Sequence, residues 1–267
     1  MSTVARPILR NSILAAGAGA PVLLLHGSAS SAAMWAPIID VLKDRFRVLA
    51  PDLIGYGRTD PWPSGHDFTI DEEVRLLAPL IANKSAGTHV VAHSYGGVVA
   101  LQLARSHPAG VRSLTLIEPV AFHLLRDANE PDAWSEAQAF GTAYAARIKA
   151  GETEAAMREF VDYWSAPGSW HAMDEMARAQ MRRCAAKIVL DFHATFADPG
   201  PDPWRRISHP VDLLAGDRSP LPVRRIADVL AKRLPAATLR VVAGANHLLP
   251  ATHHKMLGAF LLEQLRD

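Results

Sequence analysis

This 267-residue sequence has a single cysteine and almost no net charge. The first fact argues against a disulfide-stabilised protein, and the second argues against a protein that binds nucleic acid or a membrane surface through its charge. The one cysteine, Cys184, cannot form a disulfide within the chain, which favours a reducing compartment. The sequence has 28 Lys and Arg against 27 Asp and Glu, and the two signs are interspersed. It therefore offers no basic stripe for nucleic acid and no polybasic patch for a membrane surface.

Long apolar runs are also missing. No run approaches the roughly 20 apolar residues of a membrane span. The first 20 residues lack the long apolar core of a secretory signal and are interrupted by Pro7 and Arg10. We therefore expect a cytoplasmic location and no membrane partner. No H-E-x-x-H motif or Cys/His cluster is present, so we expect no metal site, and nothing in the sequence calls for a cofactor.

Apolar residues are abundant, at 49% of the chain, which is enough for one large core. Short continuous apolar runs alternate with segments of helical spacing, a pattern that predicts an α/β fold. We expect a mostly parallel central sheet flanked by helices on both faces. The predicted strands cover residues 21–27, 46–52, 88–93, 111–117, 210–216 and 237–242.

The segment 119–205 follows a different pattern, with Trp, Met, Ala and charged residues at helical spacing and no strand-like run. We interpret it as a helical cap inserted into an α/β core formed by residues 1–118 and 206–267. The Pro/Gly-rich cluster at 197–204 marks the exit of the cap. Extra outer helices of the sheet are a weaker interpretation, because one helix suffices for a crossover between parallel strands.

Ser94 lies in the run T-H-V-V-A-H-S-Y-G-G at 88–97, between a β-branched strand and a segment of helical composition. Strand, sharp turn and helix with a serine at the tip is the geometry that raises a hydroxyl above a parallel sheet. A serine hydroxyl needs a base within hydrogen-bond reach, and the base needs an orienting carboxylate. His247 is the candidate base, because it follows a Gly-containing turn after the last predicted strand.

Four motifs occur in a characteristic order: H-G-S at 26–28, P-D-L-I-G-Y-G-R-T at 51–59, A-H-S-Y-G-G at 92–97 and G-A-N-H at 244–247. In this order they resemble the α/β-hydrolase fold superfamily over nearly the whole chain. The resemblance implies a Ser–acid–His triad, an oxyanion hole of backbone amides and a cap domain, here after the sixth core strand. Of the usual G-x-S-x-G pattern, only the first glycine is replaced, by Ala92.

Two carboxylates are candidates for the triad acid. The resemblance places the acid at the end of a G-x-x-D turn, but in this turn, which begins at Gly216, Ser219 occupies that position. Asp217 lies two residues earlier and is the alternative acid. Part of the family instead has its acid at the end of the strand after the nucleophile helix, where this chain has Glu118. A carboxylate directly after a buried run needs a partner, and His247 would supply one, so position favours Glu118.

The resemblance also assigns the oxyanion hole to the backbone amides of Ser28 and Tyr95, which leaves their side chains free to shape the pocket. We expect His26 to brace its loop and Asp52 to hold the following turn. Strand alternation predicts that His93 points away from Ser94.

Phe122, Trp164 and Trp170 could line an apolar substrate pocket from the cap, although packing within the cap is an equal alternative for each. Together these features indicate a serine hydrolase, resembling a carboxylesterase, that cleaves an ester or related acyl bond of a small, largely apolar molecule. The same residues would also suit a C–C bond hydrolase, a cofactor-free perhydrolase, a hydroxynitrile lyase or, in another class, a non-catalytic ligand receptor.

Overall fold

The structure, a computed structural model, describes residues 12–63, 66–81, 87–198 and 207–265. Seven strands form one sheet, and twelve α-helices and two short 3-10 helices accompany it in this part of the chain. The strands are β1 (Ile13–Ala16), β2 (Ala20–Leu25), β3 (Phe46–Pro51), β4 (Thr88–His93), β5 (Val111–Ile117), β6 (Val211–Gly216) and β7 (Ala237–Val242). The helices are α1 (Ala36–Leu42), α2 (Ile70–Ile81), α3 (Tyr95–Ser106), α4 (His123–Asp127), α5 (Pro131–Lys149), α6 (Thr153–Trp164), α7 (Ser169–Ala172), α8 (Glu175–Arg183), α9 (Ala185–Phe196), α10 (Leu221–Arg233), α11 (Leu249–Thr252) and α12 (His254–Gln264).

The strand order in the sheet is β1-β3-β2-β4-β5-β6-β7. β1 pairs antiparallel with β3, and every other pair is parallel. The chain moves outward from β4 in one direction, so the carboxyl ends of β4, β5 and β6 are neighbours at one edge. In open parallel sheets this is the edge where binding sites form.

Two apolar clusters cover the two faces of the sheet. One joins side chains of α2, α3 and α10 to the sheet, and the other joins α1 and α12 to its opposite face. The central strands are largely buried on both sides, which explains why β2 has a continuous apolar sequence and why β4 shows no regular alternation of apolar and polar residues. The predicted α/β class, with a mostly parallel sheet flanked by helices, is confirmed.

The helices α4–α9 lie between β5 and β6 and contain no strand among their described residues; we refer to them as the cap segment. Five strands precede the cap segment in the described part of the chain, whereas the resemblance led us to expect six. The Pro/Gly-rich exit at 197–204 lies outside the described residues from position 199 onward. Side chains of the cap segment, such as Phe160 and Phe192, belong to the same apolar cluster as those of α2 and α3.

The predicted strand positions agree with the structure to within a residue or two at each end. The exception is β1, a four-residue strand at the sheet edge that the sequence pattern did not indicate. In the described ranges, no helix combines the length and the apolar character needed to cross a membrane.

Candidate active site

Ser94 occupies the turn between β4 and α3, in a backbone conformation that few residues with side chains adopt. Its φ is 54° and its ψ is −120°, and non-glycine residues with positive φ concentrate at functional sites. Close packing requires a glycine two residues later, because a Cβ at Gly96 would lie 2.5 Å from the carbonyl oxygen of His26. The turn thus packs closely against the backbone at the carboxyl end of β2, with the Ser94 hydroxyl at its tip.

The structure brings Ser94, His247 and Glu118 together in one line of hydrogen bonds. His247 Nε2 lies 2.9 Å from Ser94 Oγ, and His247 Nδ1 lies 3.1 Å from Glu118 Oε2. The other carboxylate oxygen of Glu118 accepts a hydrogen bond from the backbone N–H of Gly216. All three side chains are buried, Glu118 completely. This arrangement allows the imidazole to take a proton from the hydroxyl while the carboxylate orients and balances it.

Asp217, the alternative acid, lies elsewhere. Its side chain is exposed, and its Oδ1 accepts the backbone N–H of Gly244 at 2.8 Å, which holds the turn after β7. Ser219 is buried, and its hydroxyl has no hydrogen-bond partner among the residues that the structure describes. Of the two candidate carboxylates, only Glu118 reaches His247.

The loop after β2 lies directly over Ser94. A Cβ at Gly27 would come within 2.9 Å of the Ser94 Cβ, so only glycine allows this approach. His26 braces the loop as expected: its Nδ1 donates to the Gly27 carbonyl at 2.7 Å, and its Nε2 accepts the N–H of Leu53 at 3.0 Å. Burial lowers the pKa of His26 to about 4, so the ring is neutral in these contacts at neutral pH.

Asp52 holds the turn that follows β3, as its position predicts. Its two carboxylate oxygens accept the backbone N–H groups of Ala32 and Arg58, at 2.7 and 3.0 Å. A Cβ at Gly57 would overlap the carboxylate, so this turn also depends on a glycine.

The side chains of Ser28 and Tyr95, expected to be free to shape the pocket, are both held by hydrogen bonds, although Ser28 does line the cavity that contains Ser94. The Ser28 hydroxyl donates to Asp191 Oδ2 at 2.5 Å, and the Tyr95 hydroxyl donates to Glu73 Oε1 at 3.3 Å. Asp191 lies 163 residues from Ser28, and such pairings are invisible to local sequence patterns. The backbone amide of Tyr95 is at the first position of α3 and has no acceptor within that helix. The assignment of the Ser28 and Tyr95 amides to an oxyanion hole stays a prediction.

His93 also departs from expectation. Its ring does not point away from the site but lies against the loop 243–248 that carries His247, which we call the histidine loop. Its Nε2 donates to the carbonyl oxygen of His247 at 2.8 Å, and the two rings are 5.0 Å apart. Burial, with a smaller contribution from the neighbouring His247, lowers the pKa of His93 to about 3. At neutral pH a neutral ring is thus available to position the backbone of His247.

A cavity of about 260 Å³ opens on Ser94 and His247 between the core and the cap segment. Its wall is mainly aromatic and aliphatic. Two of the three predicted substrate contacts line it: Phe122, and Trp164, whose indole lies 4.2 Å from the His247 ring. The prediction for Trp170 is wrong, because its indole N–H donates to Glu154 and its ring packs inside the cap segment. The other apolar lining residues are Ala29, Met34, Val120, Phe160, Val161, Met173, Met181, Ile188, Phe192, Leu248 and Ala251.

A sequence model of the family described as the alpha/beta hydrolase fold matches residues 20–253, which is most of the chain. The chain belongs to the α/β-hydrolase fold family. The resemblance seen in the four ordered motifs is thereby confirmed.

Two kinds of similar protein were found: curated proteins whose sequences match part of the chain, and solved structures that match its fold. The chain is 40% identical over 101 residues to Lipase LipV of Mycobacterium tuberculosis, which covers 38% of this chain and 37% of that protein. It is 37% identical over 105 residues to Probable lysophospholipase BODYGUARD 2 of Arabidopsis thaliana, covering 37% of this chain and 22% of the relative. The chain thus spans between a fifth and two fifths of the length of these relatives.

Among solved structures, the α/β-hydrolase enzyme MGS-M2 from a Medee basin deep-sea metagenome library superimposes with a TM-score of 0.79. The superposition covers 96% of this chain and 94% of that one at 16% identity, so this likeness concerns the fold.

A buried ionic cluster beside the α/β-hydrolase site was not found by sequence reasoning. Lys187 and Asp191, one turn apart on α9, form an ion pair, and Lys187 Nζ also donates to Glu73 Oε1 of α2 at 3.2 Å. Burial raises the pKa of Glu73. The spacing of a lysine and an aspartate on one face of an otherwise apolar helix is the signal that could have indicated it. In the described ranges, no group of three or more His, Cys, Asp or Glu side chains is arranged to hold a metal ion.

Proposed function

We propose that the protein is a serine hydrolase that cleaves esters or related acyl compounds through an acyl-enzyme. The observation that carries the proposal is the unbroken line of hydrogen bonds from Ser94 Oγ through His247 to Glu118. Similarity to a lipase and to a probable lysophospholipase, in the parts of the chain that match, supports ester hydrolysis.

In the proposed reaction, Ser94 Oγ attacks the carbonyl carbon of the ester as His247 Nε2 takes its proton. Negative charge develops on the carbonyl oxygen, where the backbone amides of Ser28 and Tyr95 would stabilise it. The tetrahedral intermediate expels the alcohol, which receives the proton from His247. Water then attacks the acyl-enzyme with the same proton transfers and releases the acid. The Glu118 carboxylate stabilises the imidazolium.

The cavity supports a small, neutral and largely apolar substrate. Its lining is dominated by aromatic and aliphatic side chains, and it includes no lysine or arginine among the residues that the structure describes. Asp191 lines the cavity as a buried carboxylate, which disfavours a negatively charged substrate group close to it. These features favour simple esters over substrates that carry a free carboxylate.

A panel of p-nitrophenyl esters from acetate to octanoate tests the proposal, with a Ser94→Ala variant as the control. We expect turnover of the shorter esters that is abolished in Ser94→Ala. A fluorophosphonate should label Ser94, and the labelling should vanish in His247→Ala. Binding of esters without any Ser94-dependent turnover or labelling would instead indicate a ligand receptor on this fold.

A further inference from the structure

The two residues assigned to the oxyanion hole share one partner in the structure, the buried ionic cluster. Ser28 donates its hydroxyl hydrogen to Asp191, and Tyr95 donates its own to Glu73. Lys187 lies between the two carboxylates and donates to both. The Lys187 ammonium is also 4.7 Å from the centre of the Tyr95 ring. A single connected group of side chains therefore holds both sides of the expected hole.

The cluster is expensive to bury, which argues that it serves a purpose other than stability. Glu73, Asp191 and Lys187 are at most 6% exposed, and two carboxylates face one ammonium. Burying charge in this way rarely stabilises a fold more than apolar packing would. Two additional donors help to balance the carboxylates: the Tyr56 hydroxyl on Asp191 Oδ2 at 2.5 Å and the Ile54 amide on Glu73 Oε2 at 3.0 Å.

The cluster also connects two parts of the chain. Lys187 and Asp191 belong to the cap segment, whereas Glu73, Ser28 and Tyr95 belong to the core. Asp191 itself lines the cavity that contains Ser94 and His247. The contact that fixes the Ser28 side chain therefore forms only when α9 is seated on the core.

We infer that the Lys187–Asp191–Glu73 cluster is a positioning device that sets the two backbone donors of the oxyanion hole by holding the side chains of Ser28 and Tyr95. Because two of its members lie on α9, seating of the cap segment completes the hole. This inference rests on the proposed function. It assigns Asp191 and Glu73 as positioning residues that act through Ser28 and Tyr95.

Double-mutant cycles test the inference. Asp191→Asn keeps the packing and leaves Lys187 paired with Glu73, so the variant should fold. We expect Asp191→Asn and Ser28→Ala each to lower kcat for p-nitrophenyl butyrate about ten- to a hundredfold with little change in KM, a part of the loss for a whole donor. The double variant should be no worse than the poorer single variant, because both changes break the same link. Glu73→Gln and Tyr95→Phe form the second cycle, with the same expectation.

A trifluoromethyl ketone provides a readout that a general structural defect would not reproduce. Ser94 adds to its carbonyl carbon, and the resulting oxyanion occupies the hole, so its Ki should rise in proportion to the loss of kcat/KM. Affinity for butyrate, the product acid, should not fall, and in Asp191→Asn it should rise, because a negative charge is removed from the cavity wall. Asp162→Asn is the matched control, because Asp162 accepts a single backbone hydrogen bond from Trp170 within the cap segment. It should leave both kinetics and Ki unchanged.

The outcomes separate this inference from the proposed function. If the parent protein shows Ser94-dependent turnover but the two substitutions of each cycle are additive, the positioning role is refuted and the hydrolase proposal stands. Equal losses in kcat, in affinity for the trifluoromethyl ketone and in product affinity would also refute it, because they would indicate general damage. If the parent neither hydrolyses esters nor reacts with a fluorophosphonate, the proposed function fails and this inference fails with it.

Discussion

Replacing Glu118 by glutamine removes one negative charge beside His247 while keeping the shape of the side chain. The Gly216 amide can still donate to the glutamine Oε1, so the local fold should be retained. The new amide N–H₂ would face His247 Nδ1, which favours the tautomer that cannot accept the Ser94 proton. The substitution therefore acts on the chemistry rather than on the fold.

The expected size of the effect follows from the distance between the two groups. An imidazolium and a carboxylate 3.1 Å apart attract each other by about 5 kcal/mol at an effective dielectric constant of about 20. Loss of that attraction when the imidazolium forms corresponds to a fall in kcat of roughly 10³- to 10⁴-fold.

The assay is initial-rate hydrolysis of p-nitrophenyl butyrate by the parent, Glu118→Gln and Asp217→Asn variants. Asp217→Asn is the matched control, because Asp217 is exposed and only holds the Gly244 amide. We expect its kcat to lie within about twofold of the parent value, as for most surface substitutions. A Glu118→Gln variant with more than a tenth of the parent kcat, or an equal loss in Asp217→Asn, would refute the reasoning.

Three further predictions concern the surroundings of the site. Burial lowers the pKa of His93 to about 3, so the unfolded chain binds more protons than the folded one below about pH 6.5, and the free energy of unfolding falls as the pH falls from there towards 3. In urea unfolding, His93→Gln should therefore reduce the fall in the free energy of unfolding between pH 7 and pH 5 by about 2 kcal/mol. An unchanged fall would contradict this prediction. Gly96→Ala places a Cβ against fixed backbone and should abolish labelling of Ser94 by a fluorophosphonate. Gly97→Ala should retain most of the labelling, because the nearest contact of its Cβ is a proline side chain at 3.0 Å. Equal labelling rates in the two variants would refute the steric argument. Trp164→Phe should lower kcat/KM several-fold, because the Trp164 indole lies against the His247 ring. Trp170→Phe should leave the kinetics unchanged and lower the free energy of unfolding by about 1 kcal/mol, because the indole hydrogen bond to Glu154 is lost. The reverse pattern would show that Trp170, and not Trp164, contacts the substrate.

The sheet was predictable from sequence because its central strands are buried on both faces. The continuous apolar run in β2 and the apolar stretches within 88–93 and 111–117 identify such strands without reference to their neighbours. The edge strand β1 was not predictable in the same way. It is four residues long, half-buried and rich in alanine, and its conformation depends on pairing with β3.

The site was predictable where chemistry depends on local turns. Ser94 lies in the turn directly after a strand, and His247 follows a strand and a turn that contains small residues. The structure places Ser94 Oγ 2.9 Å from His247 Nε2. Position in the chain favoured Glu118 over Asp217 but left both open, because the choice depends on which strand end meets the histidine loop. Glu73 and Lys187 are 114 residues apart, and no local pattern relates them.

The histidine loop is tied to the cap segment as closely as the loop over Ser94 is. Asn246 donates its side-chain N–H to the carbonyl oxygen of Ser165 at 2.9 Å, next to the contact between Trp164 and His247. Exchanging this cap for that of a related enzyme would therefore disturb the reacting groups as well as the choice of substrate. A chimera that transfers the cap should also transfer the partners at positions 28, 73 and 246. Without them, recombination would yield folded proteins with impaired chemistry.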